Sequence, residues 1–186
     1  MSKSAIVIGA GIVGLATARA LAEKGFTVKV IERNEKAVGA SIRNFGMVWP
    51  MGQPLGKLRE RALRSREIWK QSCAEGNIWF GEVGSLLNVY HDDELAVIEE
   101  FYAANKDLHD CKILTAEETV AKSQATNPKK LKASLWSSTE LIVDPREAIE
   151  KLRTKLPASQ LKEVASARPR LPTWLAQEVS ALVTHG

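Results

Sequence analysis

Three glycines at G-x-G-x-x-G spacing, Gly9, Gly11 and Gly14, stand between a short apolar run and a helical pattern, and they restrict this chain more than any other feature. The run before them, Ala5-Ile6-Val7-Ile8, is rich in β-branched residues and predicts a buried parallel strand. Behind them, residues 12–24 place Leu15, Ala18, Leu21 and Ala22 on one helical face, and Gly25 stands where a helix would end. Residues 27–31 predict a second strand, closed by Glu32 eighteen residues after Gly14. This order predicts a βαβ unit that binds an adenine dinucleotide over residues 5–32.

Each part has a physical reason. Gly9 permits the tight turn, Gly11 lets the backbone approach a pyrophosphate, and Gly14 lets the helix pack closely on the sheet. The helix start supplies unpaired N–H groups and a positive dipole end, so the cofactor-binding loop comprises Gly9, Ala10, Gly11, Ile12, Val13 and Gly14. Glu32, with Arg33 beside it, stands where a carboxylate accepts hydrogen bonds from an adenosine ribose and repels a 2′-phosphate. FAD and NAD therefore fit better than NADP.

Bulk properties exclude little but point one way. At 186 residues the chain can hold one core, or one domain plus part of another. It is 45% hydrophobic and 26% charged, without a run that would span a membrane, so no membrane partner is expected. The N-terminus enters a strand directly, which argues against a signal peptide, and cytoplasmic localisation is the default. Cys73 and Cys111 form no metal or redox motif, and no metal site is expected. The net charge of +4 raises the question of nucleic acid. The basic residues Lys57, Arg59, Arg61, Arg64, Arg66 and Lys70 lie on a helix predicted over 54–75, opposite Leu55, Leu58, Ala62 and Trp69. That is an amphipathic helix with a solvated face, and no nucleic-acid partner is expected.

Residues 37–50 lack helical period and are rich in glycine and small residues, so they predict an ordered loop. Gly39, Ser41, Asn44 and Gly46 can bring amides and small polar groups to a ligand. Arg43 either faces a phosphate or acidic group or is simply solvated.

The run IVIGAGIVGLATARALAEKGFTVKVIER followed by GASIRNFG resembles the FAD-dependent oxidoreductases of the D-amino-acid oxidase and glycine oxidase superfamily. The resemblance covers residues 4–152. It implies FAD as cofactor, Glu32 on the adenosine ribose, and residues 39–46, including Ser41, Arg43, Asn44 and Gly46, beside the ribityl chain and flavin ring. It also implies hydride transfer from a small amine or amino acid to the flavin. The run SIRNFGMVWPMGQP is similar to a bacterial subgroup proposed to oxidise aminophosphonates. His91, His109 and His185 are isolated, and no catalytic residue is assigned.

The fold class implied is α/β: a Rossmann-like FAD-binding βαβ domain with part of an α+β substrate domain, in an incomplete, truncated fold. Residues 1–50 would form the first part of the FAD-binding domain, 51–143 a partial substrate or cap region, 144–152 a return helix and 153–186 a tail that matches no part of the pattern. Two alternatives stand beside the oxidoreductase: a catalytically inactive dinucleotide-binding fragment, and an NAD-dependent enzyme. The sequence leaves the oligomeric state open.

Between these segments, 78–80 and 84–90 predict strands, Asp92 or Asp93 caps a helix over 94–108, and Phe101 and Tyr102 belong to the core. Thr115 caps a helix over 116–123 with Glu118 in capping-box spacing. Lys129, Lys130 and Lys132 lie in a solvated connector. Residues 133–136 and 140–143 predict a strand pair, and Asp144-Pro145 predicts a helix start by local capping.

Overall fold

The computed structural model describes residues 3–34, 37–108, 110–155 and 165–166. In chain order the elements are β1 (Ser4–Ile8), α1 (Ile12–Glu23), β2 (Thr27–Glu32), β3 (Met47–Val48), α2 (Lys57–Gly76), β4 (Phe80–Gly81), β5 (Ser85–Val89), α3 (Asp92–Asn105), β6 (Cys111–Thr115), α4 (Ala116–Lys122), β7 (Ala133–Ser137), β8 (Leu141–Val143), α5 (Pro145–Lys155) and β9 (Ala165–Ser166). Single 3-10 turns at Ala40–Ile42 and Pro50–Gly52 precede and follow β3. The stretch expected to be one loop thus contains a turn and a strand. Two compact units result, the first from residues up to Asn44 and from Pro145 onward, the second Phe45–Asp144.

In the first unit β1 pairs in parallel with β2, Ser4 opposite Thr27 and Ile8 opposite Ile31. The apolar alternation drives Val7, Val28 and Val30 onto one face, where Leu15, Ala18 and Ala22 of α1 and Ile149 of α5 close over them. Lys24 and Gly25 end α1 by donating to the carbonyls of Leu21 and Ala22, and Gly25 takes φ +80°. The expectation that β1 is a buried strand holds for one face only. Ile6 and Ile8 are 51% and 62% exposed. Helices on both faces bury a parallel strand, and α1 and α5 share one core cluster here. β9 adds a parallel strand beyond β2, with Ile31 opposite Ala165. The sequence pattern, lost after Arg153, did not foretell that strand. The rest of the expected tail, 156–164 and 167–186, lies outside the described residues.

The second unit holds two antiparallel sheets. β7 is the middle strand of one, flanked by β5 and β6, and β8 is the middle strand of the other, between β3 and β4. The expected pairing of 133–136 with 140–143 is therefore not formed. Each of these strands finds a partner distant in sequence, which alternation alone does not reveal. Val89, Ala133 and Leu135 face Ile98 of α3, with Phe101 and Tyr102 packed on the same cluster as expected. Thr115 and Glu118 form the expected capping box at α4. At α3 the expected cap moves: the helix starts at Asp92, with His91 as N-cap residue, and Glu94 accepts from the backbone N–H groups of Tyr90 and His91.

α2 departs from its expected amphipathic arrangement. Leu55 and Leu58 are about half exposed, and its buried residues are Ser72, Cys73 and Gly76 near the C-terminal end. Arg66 donates to the carbonyl of Thr139 and pairs with Glu82, Lys70 joins Glu82 at 3.0 Å, and Arg59 donates to the Leu108 carbonyl at 2.7 Å. Part of the basic face is thus spent on internal contacts rather than solvated. Lys132 likewise pairs with Asp92 at 2.5 Å. No helix among the described residues is long and apolar enough to cross a membrane. Cys73 and Cys111 form no disulfide among the described residues, and no group of His, Cys, Asp and Glu that could hold a metal occurs there.

Candidate functional site

The glycine loop is tied to the strand ends by its own backbone. Gly9, at φ +98°, a conformation that favours glycine, donates its N–H to the Ile31 carbonyl at 2.7 Å. The next N–H, of Ala10, is given to the Glu32 carboxylate at 2.9 Å. A Cβ at Gly14 would lie 1.9 Å from the Gly9 carbonyl oxygen and 3.5 Å from Val7, so only glycine lets α1 leave the loop this close to β1.

At the N-terminus of α1, Ile12 donates its N–H to Ser41 Oγ at 3.0 Å. The N–H groups of Val13 and Gly14 have no acceptor among the described residues, and Val13 is 77% exposed. Such open first-turn amides at the positive end of a 12-residue helix favour an anion. Beside the loop, Glu32 Oε1 accepts the N–H of Asn34 at 3.0 Å and its side-chain amide at 3.4 Å. Asn34 was not among the residues expected at the site. Its signal is a polar residue two positions after a strand-ending acid, which is also the pattern of an ordinary turn.

The hydrogen bond from Ala10 holds the Glu32 carboxyl below its ordinary value of 4.5, with the Asn34 and Arg33 amides and the Arg33 charge adding to it against partial burial. A carboxyl depressed in the folded chain contributes stability above its unfolded value and loses it as pH falls through the folded value. Stability should therefore decline more steeply below about pH 4.5 in the unsubstituted chain than in Glu32→Gln. Unfolding midpoints measured across the acid range check this. Parallel acid profiles would remove Glu32 from the account.

The residues expected beside the flavin fall in two places. Ser41 and Asn44 belong to the first unit, where Asn44 donates its side-chain amide to the carbonyls of Ala40 and Ser41 at 3.3 and 2.9 Å. The 3-10 turn Ala40–Ile42 packs against α5, with Ile42 on the core cluster. Arg33 and Arg43 are exposed. The Arg43 backbone N–H donates to the Ala40 carbonyl at 3.0 Å, and its guanidinium makes no hydrogen bond or ion pair among the described residues. Gly46 is in the second unit, at φ +70°, and its carbonyl accepts the Val143 N–H at 2.9 Å.

These observations test whether a dinucleotide such as FAD suits the residues present. A side chain built at Gly9 meets nothing described within 4 Å, the Val13 and Gly14 amides of α1 are open, and a carboxylate is held beside the loop at Ala10. The donor and acceptor set fits. In such a fit the loop from Gly9 to Gly14 would run along the diphosphate with the Val13 and Gly14 N–H groups as its open donors, and Glu32 would face the ribose.

Comparison with known proteins bears on the cofactor rather than on single residues. The model of the family "FAD dependent oxidoreductase" (DAO) matches residues 4–162, ten residues beyond the expected end of the resemblance. A glycine oxidase of Pseudomonas aeruginosa is 45% identical over 51 residues, covering 27% of this chain and 14% of that protein. A glycerol 3-phosphate dehydrogenase of Caloramator mitchellensis is 27% identical over 150 residues, 76% of this chain and 30% of that protein. The crystal structure of L-proline dehydrogenase from P. horikoshii superposes with a TM-score of 0.75 at 28% identity, covering 89% of this chain and 44% of that one. The chain thus spans less than half the length of each.

Proposed function

Because this chain belongs to the DAO family of FAD-dependent oxidoreductases, we propose that it binds FAD through the loop of Gly9 to Gly14 and Glu32, and serves the oxidation of a small amine or amino acid. The observation that carries the cofactor assignment is the pairing of open amides at Val13 and Gly14 with a Glu32 carboxylate held on the Ala10 N–H. The chemistry that a flavin supplies when bound is acceptance of a hydride from the carbon beside the substrate nitrogen. This chain's own residues bind and orient: the helix start meets the diphosphate, and the fixed charge of Glu32 disfavours a 2′-phosphate. The family and the loop 39–46 support FAD over NAD.

The amine class rests on the names of the similar glycine oxidase and L-proline dehydrogenase. Within that class, the run SIRNFGMVWPMGQP makes aminophosphonates the first substrates to try. A dinucleotide-binding half without turnover is the competing reading, supported by a span under half that of the relatives.

Titrating the purified chain with FAD, followed by quenching of flavin fluorescence, tests the cofactor. Saturable binding that NADP does not displace is expected. Anaerobic addition of glycine, proline or an aminophosphonate should then bleach the yellow absorbance. A chain that gains no flavin would sink the cofactor reading, and bound flavin that no amine bleaches would leave the non-catalytic one.

A further inference from the structure

Gly11 has a backbone that does not call for glycine. Its φ of −74° and ψ of 176° are extended values open to any residue. Among the described atoms, the neighbours a Cβ there would meet are Ser41 Oγ at 3.0 Å and Ser41 Cβ at 3.9 Å. The second distance is an ordinary contact, whereas the first is tight. The same Oγ accepts the Ile12 N–H at 3.0 Å across 29 residues of chain. The hydroxyl therefore crowds the space a side chain at Gly11 would need while it satisfies a first-turn amide of α1.

We propose that Ser41 is the positioning residue of the dinucleotide loop: its hydroxyl fastens the Ala40–Ile42 turn to the start of α1, and Gly11 is glycine partly to leave room for that hydroxyl. Asn44 stiffens the turn from the other side by donating to the carbonyls of Ala40 and Ser41. With the turn fastened, the Val13 and Gly14 amides keep the direction set by α1, so a diphosphate meets a site that is already ordered. Ser41 acts on FAD through Ile12 in this scheme, and that part rests on the proposed FAD binding.

The test is a double-mutant cycle in the full chain without FAD, with amide hydrogen exchange at Ile12 beside it. Ser41→Ala should speed Ile12 exchange and lower the Tm by about 2–4 °C, whereas Ser41→Thr, which keeps a hydroxyl, should protect Ile12. Gly11→Ala should lower the Tm by a similar amount alone, yet lower it no further, or raise it slightly, when added to Ser41→Ala. The FAD dissociation constant should rise about tenfold in Ser41→Ala and stay near its original value in Ser41→Thr.

Additive Tm losses, or Ile12 exchange indifferent to Ser41→Ala, would overturn the fastening. Coupling in the FAD-free chain with unchanged FAD affinity in Ser41→Ala would overturn the positioning role. Absence of FAD uptake by the unsubstituted chain overturns the proposed function instead, and the FAD-free cycle separates the two failures.

Discussion

Gly14→Ala should remove about 3 kcal/mol or more of stability, enough to unfold a chain of ordinary marginal stability. The reason is geometric. The added Cβ would stand 1.9 Å from the Gly9 carbonyl oxygen and 3.0 Å from its carbon, and these are backbone atoms that cannot rotate away. Gly9 is held in turn by the bond from its N–H to Ile31, so relief needs α1 to lift from β1 and uncover Val7, Leu15 and Ala18. Thermal or urea unfolding measures the loss, and faster amide exchange along α1 locates it. Excess FAD should not restore the packing. A variant that unfolds within about 1 kcal/mol of the unsubstituted chain would show that the helix can shift cheaply.

Gly84→Ala should be nearly as damaging, by about 3 kcal/mol, and in the other unit. Gly84 sits at φ +68°, and its N–H donates to the Glu140 carbonyl at 3.0 Å. A Cβ there would meet the Ser137 carbonyl oxygen at 2.4 Å and the Trp136 ring at 2.2 Å. The ring is a side chain and could swing aside, at the loss of the Lys122 ammonium 3.6 Å from its centroid. The carbonyl belongs to β7 and cannot. Truncating Trp136 to alanine in the same chain should therefore fail to rescue Gly84→Ala. Full rescue would assign the strain to the ring.

Gly84 also leads to a feature that composition conceals. Glu140 is 3% exposed, and its carboxylate accepts the Met51 N–H at 3.1 Å and the Ser85 hydroxyl at 3.3 Å. It joins three segments far apart in the chain. In the sequence it is the acid that opens the strand predicted over 140–143, indistinguishable from a solvated one.

Elements whose information is local were legible. The βαβ unit, the Gly25 helix end and the Thr115–Glu118 capping box each lie within a few turns of chain, and the physics of each is set by neighbours in sequence. The His91 cap shows the limit of that approach. Asp92 and Asp93 are better caps by composition, yet Glu94 takes the Tyr90 and His91 amides and starts the helix one residue earlier than Asp92 as a cap would.

For the proposed cofactor site, residue types and spacing by themselves named the candidate parts: three glycines, a helix start and a terminal acid in the order that a dinucleotide requires. A glycine spacing and a strand-ending carboxylate are one-dimensional signals, so one dimension suffices to read them. Tertiary structure alone decided how the parts are held. It placed Glu32 on the Ala10 amide and Ser41 on the Ile12 amide, and it left Ile6 and Ile8 exposed on β1. Hydrogen bonds across 22 and 29 residues, and the coverage of a sheet face, depend on how distant segments meet, and no local pattern encodes that meeting.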